Sequence, residues 1–162
     1  MPISNYVRPS IPVAPEWALR PETASGLPPS PLHVHSDGEC LSAGIKPMAT
    51  IFTRDKIEMA KNIGFKEIKI ASYDCASHKF ISELKDNFDR LIISTGATFS
   101  NEIQKTADIL KNNNFSFLHC VTLYPTPLDK LNLRKINLLK KYCNKTGFSD
   151  HTQLQKDNLT SC

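Results

Sequence analysis

The chain has 162 residues, of which 40% are hydrophobic and 22% charged, as in a soluble domain with one core. Its formal net charge of +4 is spread among interspersed acidic and basic residues, which disfavours a nucleic-acid or membrane-surface role. No apolar stretch reaches the roughly 18 residues of a membrane span, and the N-terminus lacks a secretion-signal pattern. We therefore expect a cytoplasmic protein with no nucleic-acid or membrane partner.

The cysteines agree with that expectation. They are odd in number and include no Cys-x-x-Cys pair, so reduced thiols are favoured over a disulfide framework or a zinc knuckle. The five positions are Cys40, Cys75, Cys120, Cys143 and Cys162.

The first part of the chain differs from the rest. Eight of the eleven prolines fall within residues 1–31, where neither helical nor strand periodicity persists. We predict an irregular proline-rich arm over residues 1–43. His33 and His35 within it have the spacing of a ligand pair, but their place in the arm disfavours metal binding.

From Gly44 onward, apolar runs rich in Ile, Phe and Val alternate with stretches of helical periodicity. The predicted strands span residues 46–52, 66–71, 90–95, 115–121 and 146–150. The predicted helices span residues 53–63, 77–87, 100–113 and 132–143. In the third helix we expect Ser100 to be the N-cap and Ile103, Ala107 and Leu110 to line the buried face.

This alternation predicts a parallel α/β sheet, either a barrel or an open doubly wound sheet. The usual glycine-rich dinucleotide and nucleoside-triphosphate motifs are absent from the sequence, which favours the barrel. A closed barrel takes eight strands in roughly 200 to 250 residues. About five strands therefore predict a partial (β/α)8 TIM-type barrel over residues 44–162, whose open edges favour aggregation or a homodimer.

Polar side chains gather where the predicted strands end. Ser72 follows the second strand, a Ser-Thr-Gly triplet at residues 94–96 closes the third, and segments 119–124 and 149–151 close the last two. Carboxyl ends of parallel strands lie on one face, which in (β/α) barrels carries the active site. The hydroxyl groups and glycine of the triplet suit an oxyanion.

Four segments in series, IKIASYD, IISTGAT, LHCVTLYPTP and GFSDHT, resemble the N-acetylneuraminate (sialic acid) synthase family. The resemblance covers residues 44–162 and does not extend to the arm. It implies a (β/α) barrel enzyme of carbohydrate biosynthesis that condenses phosphoenolpyruvate with an N-acetylated amino sugar, such as N-acetylmannosamine. The product would be a sialic or related nonulosonic acid, and the cofactor a divalent metal, usually manganese.

The resemblance assigns Lys69 and Ser94 to phosphoenolpyruvate, with Thr95 beside Ser94. Lys69 lies inside a strand between two isoleucines, where an ammonium group needs an anion to offset its desolvation. Ser72, three residues farther on, adds a hydroxyl to the substrate site or, alternatively, only caps the strand end.

The same resemblance gives Tyr124 a catalytic, sugar-holding role. Thr122 stands where some family members have asparagine, so the sugar stays open. His151 matches the first of two metal-binding histidines, and the second lies farther along in the family. We interpret His119 and Cys120 as barrel interior engaged in core packing.

Within this resemblance, Lys69 and Ser94 act by positioning and electrostatics rather than by covalent catalysis. A noncatalytic fragment or paralogue that acts as a binding or regulatory partner is the alternative, and another phosphoenolpyruvate-using synthase is a third. Because five strands do not close a barrel and one expected histidine is missing, we expect little or no activity from the isolated chain.

Overall fold

A computed structural model describes Cys40 and residues 42–153, and the architecture below refers to these residues. Five strands form one sheet in which every neighbouring pair is parallel. They are β1 (Met48–Thr50), β2 (Glu67–Ile70), β3 (Arg90–Ser94), β4 (Phe115–Cys120) and β5 (Thr146–Ser149). The arm predicted for residues 1–43 lies almost wholly outside the described residues.

The strands lie in the sheet in their chain order. A doubly wound sheet reverses its order at a switch point, whereas each strand of a (β/α) barrel lies beside its predecessor. The described residues therefore form a partial barrel of the TIM type that is not closed, as predicted. All five predicted strands are present, each one to four residues shorter than expected.

Four α-helices alternate with the strands. They are α1 (Ile57–Ile63), α2 (His78–Lys85), α3 (Ser100–Leu110) and α4 (Lys135–Leu139). Helix α1 ends at Gly64, whose φ of 106° lies in the left-handed region that glycine enters without strain. In the described part of the chain, no helix is long and apolar enough to span a membrane.

The N-cap of α3 is Phe99 rather than Ser100, so that prediction was wrong by one residue. Glu102 accepts a hydrogen bond from the Phe99 backbone N–H at 2.9 Å, which satisfies this donor without a hydroxyl at the cap. The predicted buried face is confirmed and includes one more residue. Its members are Ile103, Thr106, Ala107 and Leu110.

The hydrophobic core lies between the sheet and the helices. The strand residues that contribute to it are between 0% and 8% exposed and are Ile68, Ile70, Leu91, Ile93, Phe115 and Phe117. They are cross-strand neighbours in the observed register, which is specified because one sheet face is buried. Alternate residues leave the sheet on the opposite side, which we call the inner face. It carries Lys69, Ile92, Ser94, Ser116, Leu118 and Cys120.

Candidate active site

Lys69 and Ser94 lie on the inner face of neighbouring strands. In the register of β2 and β3, Lys69 is opposite Ile92, and Ser94 lies two residues farther along β3. Since side chains alternate between faces, Lys69 and Ser94 leave the sheet on the same side. Ser94 is the last residue of β3 and Lys69 the last but one of β2. Both predicted phosphoenolpyruvate contacts therefore lie near the carboxyl ends of adjacent parallel strands.

The hydroxyl group of Ser94 is buried and unpaired. The residue is 1% exposed, and its Oγ has no hydrogen-bond partner among the described residues. Buried hydroxyl groups are normally paired, because an unpaired one costs about 1–3 kcal/mol. A ligand oxygen on the inner face would satisfy Ser94.

Lys69 is half-buried, and within the described residues its ammonium group forms no ion pair or hydrogen bond. The nearest acidic residue along β2, Glu67, accepts a hydrogen bond from Arg90 at 3.2 Å and also lies 3.9 Å from Lys46. This carboxylate is therefore engaged toward the amino ends of the strands. Lys69 is left as a cation that a bound anion could pair with.

Ser72 connects the ends of β2 and β3. It begins the turn Ser72–Asp74, is 8% exposed, and its Oγ accepts the backbone N–H of Gly96 at 3.2 Å. Among the described residues no acceptor takes the Ser72 hydroxyl proton, so this group can still donate to a ligand. The two roles considered for Ser72, structural and substrate-binding, are thus compatible.

Gly96 makes room for neighbouring protein atoms at the ends of the strands. A Cβ at this position would lie 2.7 Å from Thr122 Cγ2, 2.9 Å from Ser72 Oγ and 3.1 Å from the Cys120 carbonyl. The sequence predicts only an oxyanion site for the triplet at residues 94–96. The structure adds that its glycine lets the end of β4 approach β3.

Thr95 uses its donors within the fold. Its hydroxyl and its backbone N–H donate to the Leu118 carbonyl at 3.0 and 2.9 Å. The hydroxyl proton is therefore engaged between β3 and β4, and only the oxygen lone pairs of Thr95 are left for a substrate.

Tyr124 and His151 form a ring pair beyond the ends of β4 and β5. Their ring centroids are 4.3 Å apart with an interplanar angle of 35°. Tyr124 is 72% exposed, and Thr122 before it is also exposed. Partial burial raises the pKa of Tyr124, with a smaller contribution from Cys120, so the phenol stays protonated at neutral pH and can donate a hydrogen bond.

His151 is oriented by a backbone carbonyl. Its Nδ1 lies 3.0 Å from the Val121 oxygen and 3.5 Å from Cys120 Sγ. A carbonyl only accepts, so Nδ1 carries the proton, and in the neutral ring Nε2 has the lone pair that a metal would use. However, no group of three or more His, Cys, Asp or Glu side chains that could hold a metal exists within residues 40 and 42–153. These residues alone do not make a metal centre.

His119 has a structural role on the other side of the sheet. It is 2% exposed, donates from Nε2 to the Leu131 carbonyl at 2.7 Å, and stacks on Phe148 at 5.8 Å. The expectation of a buried packing residue is met. Its alternation with Phe117 places it on the helix side rather than in the barrel interior, which corrects that part of the expectation. Cys120, 4% exposed, is the one on the inner face.

Asp74 is a buried acid in the turn that follows β2. It is 8% exposed, its Oδ1 accepts a hydrogen bond from Ser77 at 3.3 Å, and its Oδ2 has no partner among the described residues. Burial raises the pKa of Asp74, and the Ser77 hydrogen bond lowers it by less. Only tertiary structure reveals this desolvation.

Sequence comparison finds similar proteins among curated bacterial enzymes. N,N'-diacetyllegionaminic acid synthase of Campylobacter jejuni is 29% identical over 112 residues, which cover 65% of this chain and 34% of that protein. Pseudaminic acid synthase of the same species is 32% identical over 113 residues, covering 67% of this chain and 33% of that protein. The chain thus spans about a third of the length of the curated relatives it matches.

Comparison with solved structures agrees with the sequence comparison. N-acetylneuraminic acid synthetase from Leptospira borgpetersenii superposes with a TM-score of 0.71 and 29% identity, over 78% of this chain and 46% of that one. The NeuB family model matches residues 31–160, and this stretch includes the whole five-stranded sheet and all the candidate site residues. The chain belongs to the NeuB family.

Proposed function

We propose that this chain carries the phosphoenolpyruvate-binding part and one sugar contact of a nonulosonic acid synthase. The reaction joins phosphoenolpyruvate to an N-acetylated amino sugar such as N-acetylmannosamine. Family membership and the names of the relatives, synthases of legionaminic, pseudaminic and N-acetylneuraminic acid, support this chemical class.

The observation that carries the proposal is the unpaired Ser94 hydroxyl on the same sheet face as an unpaired lysine of the neighbouring strand. Ser94 and Lys69 share the inner face near the strand ends, and neither has a side-chain partner among the described residues. A hydroxyl donor and an ammonium group together fit an anion with several oxygens. Phosphoenolpyruvate offers both a phosphate and a carboxylate, and Ser72 can add a third donor.

The chemistry follows from the two substrates. The enol carbon of phosphoenolpyruvate attacks the aldehyde of the open-chain sugar and forms the new carbon–carbon bond, and the aldehyde oxygen becomes an alkoxide. Water adds to the resulting cationic carbon, and its proton goes to the alkoxide that the aldehyde oxygen has become. The bond between this carbon and the phosphate oxygen then breaks, phosphate leaves with the remaining hydroxyl proton, and the carbon becomes the ketone of the product. Lys69 and Ser94 hold the anionic groups in place during these steps, which is a contribution of positioning and electrostatics.

The sugar side of the site is assigned to Tyr124. Its protonated phenol and exposed ring lie beyond the strand ends, where a sugar hydroxyl and an apolar sugar face could contact them. Manganese bound through His151 Nε2 would polarise the aldehyde, but the described residues assemble no group of three or more ligand side chains, and no step above depends on the metal.

A noncatalytic role is the second candidate. The described sheet is a partial barrel whose β1 and β5 each pair on one side only. Such edges present unpaired backbone N–H and C=O groups with which a strand of another chain could form hydrogen bonds. A binding or regulatory partner that retains the anion site would keep Lys69 and Ser94 without turnover.

The anion site that both candidates share is tested first. Phosphoenolpyruvate is titrated by NMR into the full chain, Lys69→Ala, Ser94→Ala and a control, Lys66→Ala, whose side chain is exposed just before β2. We expect each site variant to weaken binding by roughly tenfold and the control to leave it unchanged. Equal binding by all four proteins would overturn the anion site.

The same proteins are then given N-acetylmannosamine and manganese, and nonulosonic acid and free phosphate are assayed. We expect little or no turnover from the isolated chain. Turnover lost in Ser94→Ala would establish the synthase. Ser94-dependent binding without turnover is the result we expect from this chain, and it would support the anion site that both candidates share.

A further inference from the structure

Thr126 holds the backbone next to Tyr124. It is 3% exposed, and its hydroxyl donates to the Leu123 carbonyl at 2.8 Å. That carbonyl belongs to the peptide group that joins Leu123 to Tyr124. The hydrogen bond therefore fixes the peptide plane from which the Tyr124 side chain extends.

The loop that carries Tyr124 is attached at both ends to His151. At one end His151 Nδ1 donates to the Val121 carbonyl at 3.0 Å, and at the other the Thr126 backbone N–H donates to the His151 carbonyl at 2.8 Å. A parallel bridge between Thr126 and Thr152 continues this contact. Residues 121–126 thus close on His151, with Tyr124 between the two attachment points and against the His151 ring.

The segment after β5 that contacts the loop is fixed by hydrogen bonds of its own. Asp150 accepts hydrogen bonds from the backbone N–H and the hydroxyl of Thr152 at 2.8 and 3.1 Å. The segment that contacts Thr126 therefore has hydrogen bonds of its own that do not involve the loop. Thr126 is the one buried residue of the loop 121–126. Its hydroxyl donates to Leu123 within the loop, and its backbone N–H donates to His151 after β5.

We propose that Thr126 is a positioning residue that holds Tyr124 against His151 and so sets the sugar-binding half of the site. The claim that Thr126 holds Tyr124 in place depends on the geometry alone. The claim that this affects the binding of an amino sugar rests on the proposed function. Within residues 42–153, the hydrogen bonds of Thr126 go to Leu123 and His151 and not to Lys69, Ser72 or Ser94. Loss of the Thr126 hydroxyl should therefore weaken the binding of the sugar and leave the binding of phosphoenolpyruvate unchanged.

The test compares three variants of the full chain. Thr126→Val keeps the shape and removes the hydroxyl, and Thr126→Ser keeps the hydroxyl. The control is Thr106→Val, because Thr106 is also a buried threonine that donates to a carbonyl, that of Cys75 at 2.6 Å, but it lies in α3. Thermal melts check that all variants fold. We expect both valine variants to lose comparable stability.

The first readout is the NMR cross-relaxation between the Tyr124 and His151 rings. We expect Thr126→Val to lose this signal and Thr126→Ser and Thr106→Val to keep it. The second readout is the affinity for N-acetylmannosamine and for phosphoenolpyruvate, each titrated alone. We expect Thr126→Val to weaken sugar binding roughly fivefold, with phosphoenolpyruvate binding unchanged and the serine variant restored.

An unchanged ring signal in Thr126→Val would overturn the proposal, as would equal weakening of both ligands or unchanged sugar affinity after loss of the signal. If the wild-type chain binds phosphoenolpyruvate but no sugar, the ligand part of the proposal fails while the anion site stands. If it binds neither, the proposed function fails, and the ring signal alone still decides whether Thr126 holds Tyr124.

Discussion

The backbone N–H of Gly96 donates to the Ser72 hydroxyl at 3.2 Å and so joins the carboxyl ends of β2 and β3. This contact is close because Gly96 has no side chain, and the Thr122 methyl group fills the space where a Cβ would be. The geometry of three strand ends, where the candidate anion site lies, thus depends on one glycine.

Gly96→Ala should destabilise the fold by about 1–3 kcal/mol, because the added methyl would overlap Thr122, Ser72 and the Cys120 carbonyl. Urea unfolding measures the difference. Gly147→Ala is the matched control, since there the new Cβ would meet only the end of the flexible Leu118 side chain, at 2.9 Å. A control variant as unstable as Gly96→Ala would contradict this explanation.

Ser94→Ala should leave the free energy of unfolding unchanged or raise it by up to about 1 kcal/mol, because it removes a buried hydroxyl without a partner. Ser116→Ala, on the same face, should instead lower it by about 1 kcal/mol, since the Ser116 hydroxyl accepts from Arg90 at 3.3 Å. Chemical denaturation of both variants checks the contrast. A clear loss of stability in Ser94→Ala would show that its hydroxyl is already satisfied in the free protein.

Asp74→Asn should stabilise the protein at pH 7. Because burial raises the pKa of Asp74, the folded protein binds more protons than the unfolded chain above the ordinary Asp value of 3.8. The stability of the wild-type protein therefore falls as pH rises through the raised pKa. Above that pKa, the full free-energy cost of burying the charged carboxylate is present. The advantage of Asp74→Asn should vanish below pH 3.8, where both states are protonated.

Denaturation curves between acidic and neutral pH measure this dependence. Asp89→Asn, at an exposed position, is the control and should change the pH profile little. An Asp74→Asn profile parallel to that of the wild type would mean that Asp74 does not carry the penalty.

Manganese affinity should be the same in the wild type and in His151→Ala. The reason is that a divalent metal requires several ligands, and residues 40 and 42–153 assemble no group of three around His151 or elsewhere. Calorimetric titration of the full chain with manganese checks this. Tight binding that disappears in His151→Ala would place the remaining ligands outside the described residues.

The local sequence determined much of the fold. Runs of β-branched and aromatic residues such as 90–95 and 115–121, alternating with helical periodicity, predicted all five strands and the partial barrel. Burial of one face is a property of the pattern itself, so Ile103, Ala107 and Leu110 were also identified. The boundaries were less exact, as at Phe99, because Glu102 satisfies the helix end in place of a hydroxyl.

The site could be predicted only in part. A parallel sheet brings its carboxyl ends together whatever the side chains are, so Ser72, Ser94 and His151 stood out by their place at the strand ends, while the roles predicted for Ser94 and His151 came from the family resemblance. Only the tertiary structure decided which of their atoms are free. The Thr95 hydroxyl bonds to a carbonyl 23 residues away and His151 to one 30 residues away, and no local pattern encodes such partners. For the same reason the role of Thr126 emerged only when β4 and β5 were placed side by side.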